Sequence, residues 1–360
     1  MRYENVYLEA IAYRLPEEIV SSAEIERRLA PLYERLRLPE GRLELMTGIA
    51  ERRFWPPGTP PSRISAQAAA EAIERSGVPR EAIGALVHGS VCRDYLEPAT
   101  ACGVHEQLGL PRRCLLYDVS DACLGLLVGM VQVANMIELG QIRAGVVVGT
   151  ESSRSLVETT IEYLNTHAEL TREAIKPALA SLTIGSGSAA IVLVDRSLSR
   201  RGHRLLGGAA RAETAQCHLC RGGDGAGGGA TLMWTDSETL LREGVAAANE
   251  CFEEFLDELG WTRDWIDRTF CHQVGRAHQR LLFDTLRLDP TIDFSTYEHL
   301  GNTGAVALPI TAGIGIQRGV VRPGNRVAML GIGSGINVLM LGVEWGNGSP
   351  AGVAPARPAD

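Results

Sequence analysis

At 360 residues, 45% hydrophobic and 22% charged, the chain has ample material for a packed core and is not a disordered polymer. Its formal net charge of −8 excludes the basic footprint of a nucleic-acid binder. No run approaches ~18 uninterrupted apolar residues, so no membrane span is expected.

The chain opens on MRYENVYLEA, charged and strand-patterned where a signal peptide carries an apolar core. With no such signal, the eight Cys point to reduced thiols and a cytoplasmic location. A strand is expected over Asn5–Tyr13 and one charged surface helix over Ser21–Leu38. A Pro-rich turn covers Pro56–Pro61, and an Ala-rich helix runs Ser65–Ser76. Ala85–Val91 reads as a buried strand, followed by Arg93-Asp-Tyr-Leu-Glu97-Pro98 and a helix over Ala99–Leu108. Strands are expected at Leu115–Val119, Ala144–Gly149 and Ala189–Asp195, with a turn-rich loop over Ser181–Gly187.

The second half follows a similar plan. A strand over His203–Ala212 leads into a Gly-rich loop, Gly222–Gly229, read as mobile. From Ser237, Leu240, Leu241, Val245, Ala248, Phe252, Phe255, Leu256 and Leu259 mark an amphipathic helix. A buried strand ends over Phe270–Val274, and Gln279–Leu286 is helical. An Ala/Ile-rich helix ends at Gly319, and strands follow at Val327–Leu330 and Asn337–Glu344. In both halves a strand and loop lead to a long apolar helix, a glycine and a buried strand, weak self-similarity of the kind a duplicated α/β fold leaves. We divide the chain into halves at 1–196 and 197–345, with a Gly/Pro/Ala-rich tail, 346–360, expected to be disordered.

The stretch Cys114–Met130 organises the rest. Its strand is apolar and short enough to be buried on both faces. Ser120 and Asp121 are capping types, and the helical pattern runs from Ala122 to about Leu139, placing Cys123 in a first helical turn. Unpaired N–H groups and the helix dipole favour a thiolate there. A lone Cys is also an ordinary core residue. Cys271-His272-Gln-Val274 and His299-Leu-Gly301-Asn302-Thr303-Gly304 favour the catalytic reading.

Four motifs stand in order: Asp118-Val-Ser-Asp-Ala-Cys123, His272-Gln273, Gly301-Asn302-Thr303 and Gly331-Ile-Gly-Ser-Gly335. With them the chain to about Trp345 resembles the thiolase superfamily in its ketoacyl synthase III branch. Cys92-Arg-Asp-Tyr-Leu-Glu97-Pro-Ala-Thr100 and Ile175–Gly187 make it most similar to the OleA-like group of head-to-head acyl-CoA condensing enzymes. His272-Gln-Val-Gly275 replaces the His-Gln-Ala-Asn of ordinary synthase III enzymes. The resemblance implies a five-layered αβαβα sandwich, a homodimer, and Claisen condensation of two acyl-CoA thioesters without decarboxylation. No cofactor beyond those substrates is expected. An acyl carrier protein is a further candidate partner.

A Claisen condensation needs an acyl group held as an activated ester, which a thiol supplies; Cys123 is the candidate nucleophile. By resemblance, the backbone N–H groups of Cys123 and Ser334 form an oxyanion hole. His272 and Asn302 donate to the enolate oxygen, with His272 also helping to deprotonate Cys123. The bland readings are a partly exposed His and a turn Asn. Joining two unactivated thioesters requires abstraction of an α-proton. Glu97, 26 residues before Cys123 (123 − 97), is the candidate base, in this group supplied across a dimer interface. Its bland reading is a loop Glu ahead of a helix. A decarboxylating synthase using malonyl-carrier protein and a non-catalytic partner subunit are the alternative functions.

Weaker candidates remain. Cys217-His218-Leu-Cys220 resembles half a zinc site without its second half, so no metal is assigned. Arg52 and Arg53 face CoA phosphates or are buried structural residues. Arg276, Arg280 and Arg287 form either a basic docking face or a solvated helix face.

Overall fold

A computed structural model describes residues 1–224 and 231–346. The Gly222–Gly229 run falls partly, and the tail from 347 wholly, outside the described residues.

The strands are β1 (Val6–Arg14), β2 (Glu18–Ser21), β3 (Glu51–Phe54), β4 (Ile83–Gly89), β5 (Leu115–Val119), β6 (Ala144–Glu151) and β7 (Gly187–Asp195). They continue with β8 (Arg204–Ala212), β9 (Cys220–Asp224), β10 (Thr231–Thr235), β11 (Arg268–Cys271), β12 (Arg326–Gly333) and β13 (Asn337–Glu344). The first six helices are α1 (Ser22–Arg28), α2 (Ala30–Leu36), α3 (Arg42–Thr47), α4 (Pro61–Ser76), α5 (Thr100–Leu108) and α6 (Gly125–Glu138). The others are α7 (Arg154–Thr166), α8 (Lys176–Leu179), α9 (Ser237–Leu259), α10 (Arg276–Leu286), α11 (Tyr297–Leu300) and α12 (Ala307–Gln317).

Nine strands form one sheet in the order β11-β12-β13-β8-β1-β7-β6-β4-β5. Between β1 and β8 one pair, Tyr7↔Arg204, joins the five strands before residue 196 to the four after it, and the bridge Arg2↔Gly207 extends the seam. Side-chain alternation sorts the apolar residues into layers. Ala189, Ile191 and Leu193 of β7, with Leu339, Leu341 and Val343 of β13, face a central core that encloses α6 and α12. Ala190, Val192 and Val194 point the other way, onto α4 and α5. Val338 and Met340 point onto α9 and α10. The layers are therefore helices, half-sheet, the α6/α12 pair, half-sheet, helices, the αβαβα order expected.

Local chemistry explains the better-defined boundaries. Asp236 caps α9 by accepting from the Thr239 N–H at 3.1 Å, and Gly260 ends it at φ +65°. In α12 every residue from Ala307 to Gly313 is buried, which accounts for its lack of a polar face.

Several expectations need correction. The segment 21–38 is two helices meeting at Leu29, because Pro31 starts a new helix two residues on. It is not simply a surface helix, since Ile25, Leu29 and Leu32 are fully buried. The strand β5 is not buried on both faces: it lies at the sheet edge, with Leu115 53% exposed. The helix after Cys123 starts at Gly125, preceded by a 3₁₀ turn over Ala122–Leu124. The β2–β3 pair and α7 were not expected at all.

Candidate active site

Cys123 lies in the 3₁₀ turn between β5 and α6. Leu124 N–H donates to the Asp121 carbonyl at 2.8 Å, and Asp121 Oδ1 accepts from Asn337 Nδ2 at 2.6 Å. Asp121 thus holds the turn through β13 and does not cap the helix with its side chain. The final hairpin comes close because it lacks side chains. A Cβ on Gly331 would lie 2.6 Å from both Leu124 and Leu127. The Ser334 backbone N–H faces the Cys123 thiol and acts to lower its pKa.

The dipole argument for a resting thiolate fails. Cys123 keeps a partly open face, but burial pushes its thiol up to about 12, and the Glu151 carboxylate pushes in the same direction. The helix proper begins two residues too late to offset this.

His272 follows β11 and is buried, not partly exposed. Its backbone N–H donates to the Leu330 carbonyl of β12 at 3.1 Å. Burial, reinforced by His278, lowers the imidazole to about 3, so the ring is neutral near pH 7. Its Nδ1 is buried without a hydrogen-bond partner among the described residues. Gln273 ties this loop to the next one. Its Nε2 donates to the Cys271 carbonyl at 2.8 Å, while Oε1 accepts from Thr296 and Tyr297 N–H at 2.8 and 3.1 Å.

Asn302 is clamped by its backbone: its N–H donates to Thr183 O at 3.0 Å and its carbonyl accepts from Gly185 N–H at 2.8 Å. Gly301 permits this at φ +66°, where a Cβ would meet Thr183 O at 2.5 Å. Asn302 Oδ1 accepts from Gly304 N–H at 3.0 Å, which leaves Nδ2 unpaired among the described residues. The turn Gly304–Val306 packs directly on the Cys123 turn. Cys123, Ser334 and the Asn302 turn are therefore brought together, with His272 bonded to the same strand, β12, that leads to Ser334.

Glu97 is not part of this cluster within one protomer. It is exposed on the loop after β4, beside Tyr95 (67% exposed) and Leu96 (99%), and makes no hydrogen bond or ion pair with Cys123, His272 or Asn302. A residue the sequence reading passed over does belong to the site. Glu151, at the end of β6, is buried, and its carboxylate accepts from the N–H groups of Val91, Cys92 and Ala305. A carboxylate ending a fully buried strand whose body, Ala144–Gly149, is apolar is the signal that marks it.

The weaker candidates separate cleanly. Arg52 is fully buried, its guanidinium bonded to Val20 O and Ser22 Oγ, and burial lowers it to about 10. Arg53 bonds Pro16 O at 2.9 Å. Both support the β2–β3 pair instead of facing a phosphate. Cys220 Sγ lies 3.4 Å from Thr235 Oγ1, and no group of three metal-ligating side chains occurs among the described residues. Arg276 and Arg280 line a shallow groove with Met46 and Leu281.

A cysteine turn and an asparagine turn, each opening a buried helix at the centre of five layers, define a condensing enzyme of the thiolase fold. Residues 46–181 match the family described as the thiolase N-terminal domain, and residues 256–345 that of the 3-oxoacyl-[acyl-carrier-protein] synthase III C terminus. The acyl-CoA:acyl-CoA alkyltransferase of Shewanella oneidensis is 43% identical over 96% of this chain and 100% of its own length. That of Xanthomonas campestris pv. campestris is 35% identical over 96% and 100%. The chain belongs to the acyl-CoA:acyl-CoA alkyltransferase family. A crystal structure of X. campestris OleA with bound lauric acid and lauroyl-CoA superimposes with a TM-score of 0.90 at 34% identity, covering 95% of this chain and 100% of that one. Solved OleA variants alter one glutamate, one cysteine and one histidine. That glutamate precedes that cysteine by the 26 positions separating Glu97 from Cys123 (123 − 97).

Proposed function

We propose that this protein joins two acyl-CoA thioesters head to head by a Claisen condensation without decarboxylation. The observation that carries the reading is that a thiol, Cys123, meets the Ser334 N–H and the Asn302 turn in a family of acyl-CoA:acyl-CoA alkyltransferases.

Cys123 attacks the carbonyl of the first acyl-CoA, and its proton passes through the neutral His272 to the departing CoA thiolate. No resting thiolate is then required, in keeping with a thiol near 12 and an imidazole near 3. The oxyanion faces the backbone N–H groups of Cys123 and Ser334. The partner subunit's Glu97 removes the α-proton of the second acyl-CoA, whose enolate oxygen accepts from His272 and Asn302 Nδ2. The carbanion attacks the acyl-cysteine, Cys123 leaves as thiolate, and a β-ketoacyl thioester forms. No cofactor enters this scheme.

A homodimer follows from the same scheme. The strand β5 is an uncovered sheet edge with exposed Leu115, and the adjoining loop exposes Val91, Tyr95 and Leu96. Dimerisation would cover this apolar surface and carry Glu97 toward the partner's Cys123. We read the enzyme as cytoplasmic and as built from halves meeting near residue 196. No helix among the described residues is long and apolar enough to cross a membrane.

Incubating the protein with one acyl-CoA and no malonyl donor, then weighing the products, tests the reaction. A condensed product supports it. Product only after malonyl-carrier protein is added would select the decarboxylating synthase, whose C-terminal family the chain also matches.

A further inference from the structure

The mechanism above leaves unused a buried carboxyl group beside the site, that of Glu151. We propose that Glu151 is a positioning residue: one carboxylate fixes both the base of the Glu97 loop and the Asn302 turn. This inference rests on the condensation reading given above.

Oε1 accepts from Val91 N–H at 3.0 Å and Ala305 N–H at 3.3 Å, and Oε2 accepts from Cys92 N–H at 3.2 Å. Val91 and Cys92 begin the segment that projects Glu97. Ala305 lies in the turn whose preceding residue, Gly304, holds Asn302 Oδ1. That turn is pressed onto the carboxylate: a Cβ on Gly304, at φ +55°, would lie 3.2 Å from Glu151 Cδ and Oε1. Glu151 itself is held from behind, its carbonyl accepting from Trp55 Nε1 at 3.1 Å.

Among the described residues Glu151 has no ion-pair partner; burial raises its carboxyl above the ordinary range, and the N–H groups of Val91, Cys92 and Ala305, with the Cys92 thiol, act in the opposite direction. A carboxylate is acceptor-only and can receive three donors on two oxygens. An amide in its place would set an NH2 group against at least one N–H. The charge also works against the nucleophile, because it helps to keep Cys123 protonated. A group that opposes thiolate formation at this point has its use in what it holds. In the proposed dimer it holds one element of its own site and one of its neighbour's.

The test uses Glu151→Gln and Glu151→Asp in the full chain. Three quantities are read: acyl-Cys123 formed from one acyl-CoA, the condensation rate, and the pH profile of iodoacetamide alkylation on the Cys123 peptide. Asp121 and Cys220, which also face the sulfur, stay unchanged. In Glu151→Gln, acyl-Cys123 should still form and condensation should fall at least about tenfold. Its alkylation profile should move to lower pH with the charge gone. In Glu151→Asp the charge stays and the reach shortens, so condensation should fall while the alkylation profile stays with the parent. If Glu151→Gln does not fold, the Asp variant decides by those two readouts. Condensation at the parent rate in both variants overturns the proposal. So does a loss of acyl-Cys123 equal to the loss of condensation, and so does failure of both variants to fold, since each marks a merely structural residue. Absence of condensation in the unaltered enzyme instead removes the underlying reading and leaves the effect on alkylation intact.

Discussion

The cluster of Cys123, His272 and Asn302 and the loop of Glu97 are held in opposite ways. Each member of the cluster sits on a turn tied to the core, with His272 bonded to β12 and Asn302 clamped between Thr183 and Gly185. The Glu97 loop is anchored at its base and bare at its tip, where Leu96 is 99% exposed. In the proposed scheme, the contrast assigns uptake of an acyl group to one protomer and deprotonation of the second acyl group to its neighbour's loop. Acylation and condensation should therefore separate under mutation.

The largest effect belongs to Cys123. Cys123→Ser should abolish the acyl adduct seen by mass and lower condensation by about 10⁴-fold or more. An adduct that persists in this variant would show that another thiol is the nucleophile. Next comes Glu97→Gln, which removes the base while keeping its size. Condensation should fall roughly 10²–10⁴-fold, α-hydrogen exchange in D2O should fall with it, and acyl-Cys123 should still form. Mixing Glu97→Gln with Cys123→Ser chains should restore one complete site per heterodimer. No recovery after subunit exchange argues that Glu97 serves its own protomer. Asn302→Ala should cost about a hundredfold in condensation and leave acylation in place. Unchanged turnover would reduce the Gly301–Gly304 turn to a structural role.

Smaller effects sharpen the same contrast. His272 is held neutral, because burial, reinforced by His278, lowers its imidazole from the ordinary value near 6.5 to about 3. On acidification the unfolded chain takes up a proton that the folded chain refuses, so this group withdraws stability as pH falls below about 6.5. Between pH 7 and 5 it should cost roughly 2 kcal/mol, and His272→Asn should show a correspondingly shallower loss in thermal denaturation. Equal slopes would contradict a buried neutral ring. Leu96→Ser should be nearly silent, within about 0.5 kcal/mol for protomer unfolding, yet weaken self-association in sedimentation. No change in association would remove the loop tip from the interface.

Much of this was legible before any coordinates. The amphipathic positions from Leu240 to Leu259 define α9, and β13 has the bounds its pattern sets. Motif order marks Cys123, His272 and Asn302 as candidates. What escaped depends on tertiary surroundings. An apolar run such as Leu115–Val119 looks the same at a sheet edge as at its centre. The β2–β3 pair joins segments some 30 residues apart, and Glu51-Arg-Arg-Phe54 alone shows no strand pattern strong enough to announce it. Pro31 carries the break at Leu29, but the charged residues on both sides of it read as one continuous helix face. The Cys123 shift runs opposite to what its helix position suggests, because helix position is local, whereas desolvation and the Glu151 carboxylate come from chain folded back from elsewhere. Glu151 escaped for the same reason: its three donors lie 59, 60 and 154 positions away.

The single seam between the two half-sheets has a consequence for synthesis on the ribosome. The strand β7 ends at Asp195, but β12 and β13, which close the other side of α6 through the gap at Gly331, end only at Glu344. At about 5–20 residues per second, the intervening 149 residues (344 − 195) take roughly 7–30 s to emerge. Through that interval Leu124 and Leu127 face outward on a nascent chain whose first five strands are already available to pair. Slow translation between residues 196 and 326 lengthens the exposure of this apolar face, and a chaperone that shields it acts before the active site has any second half to complete it.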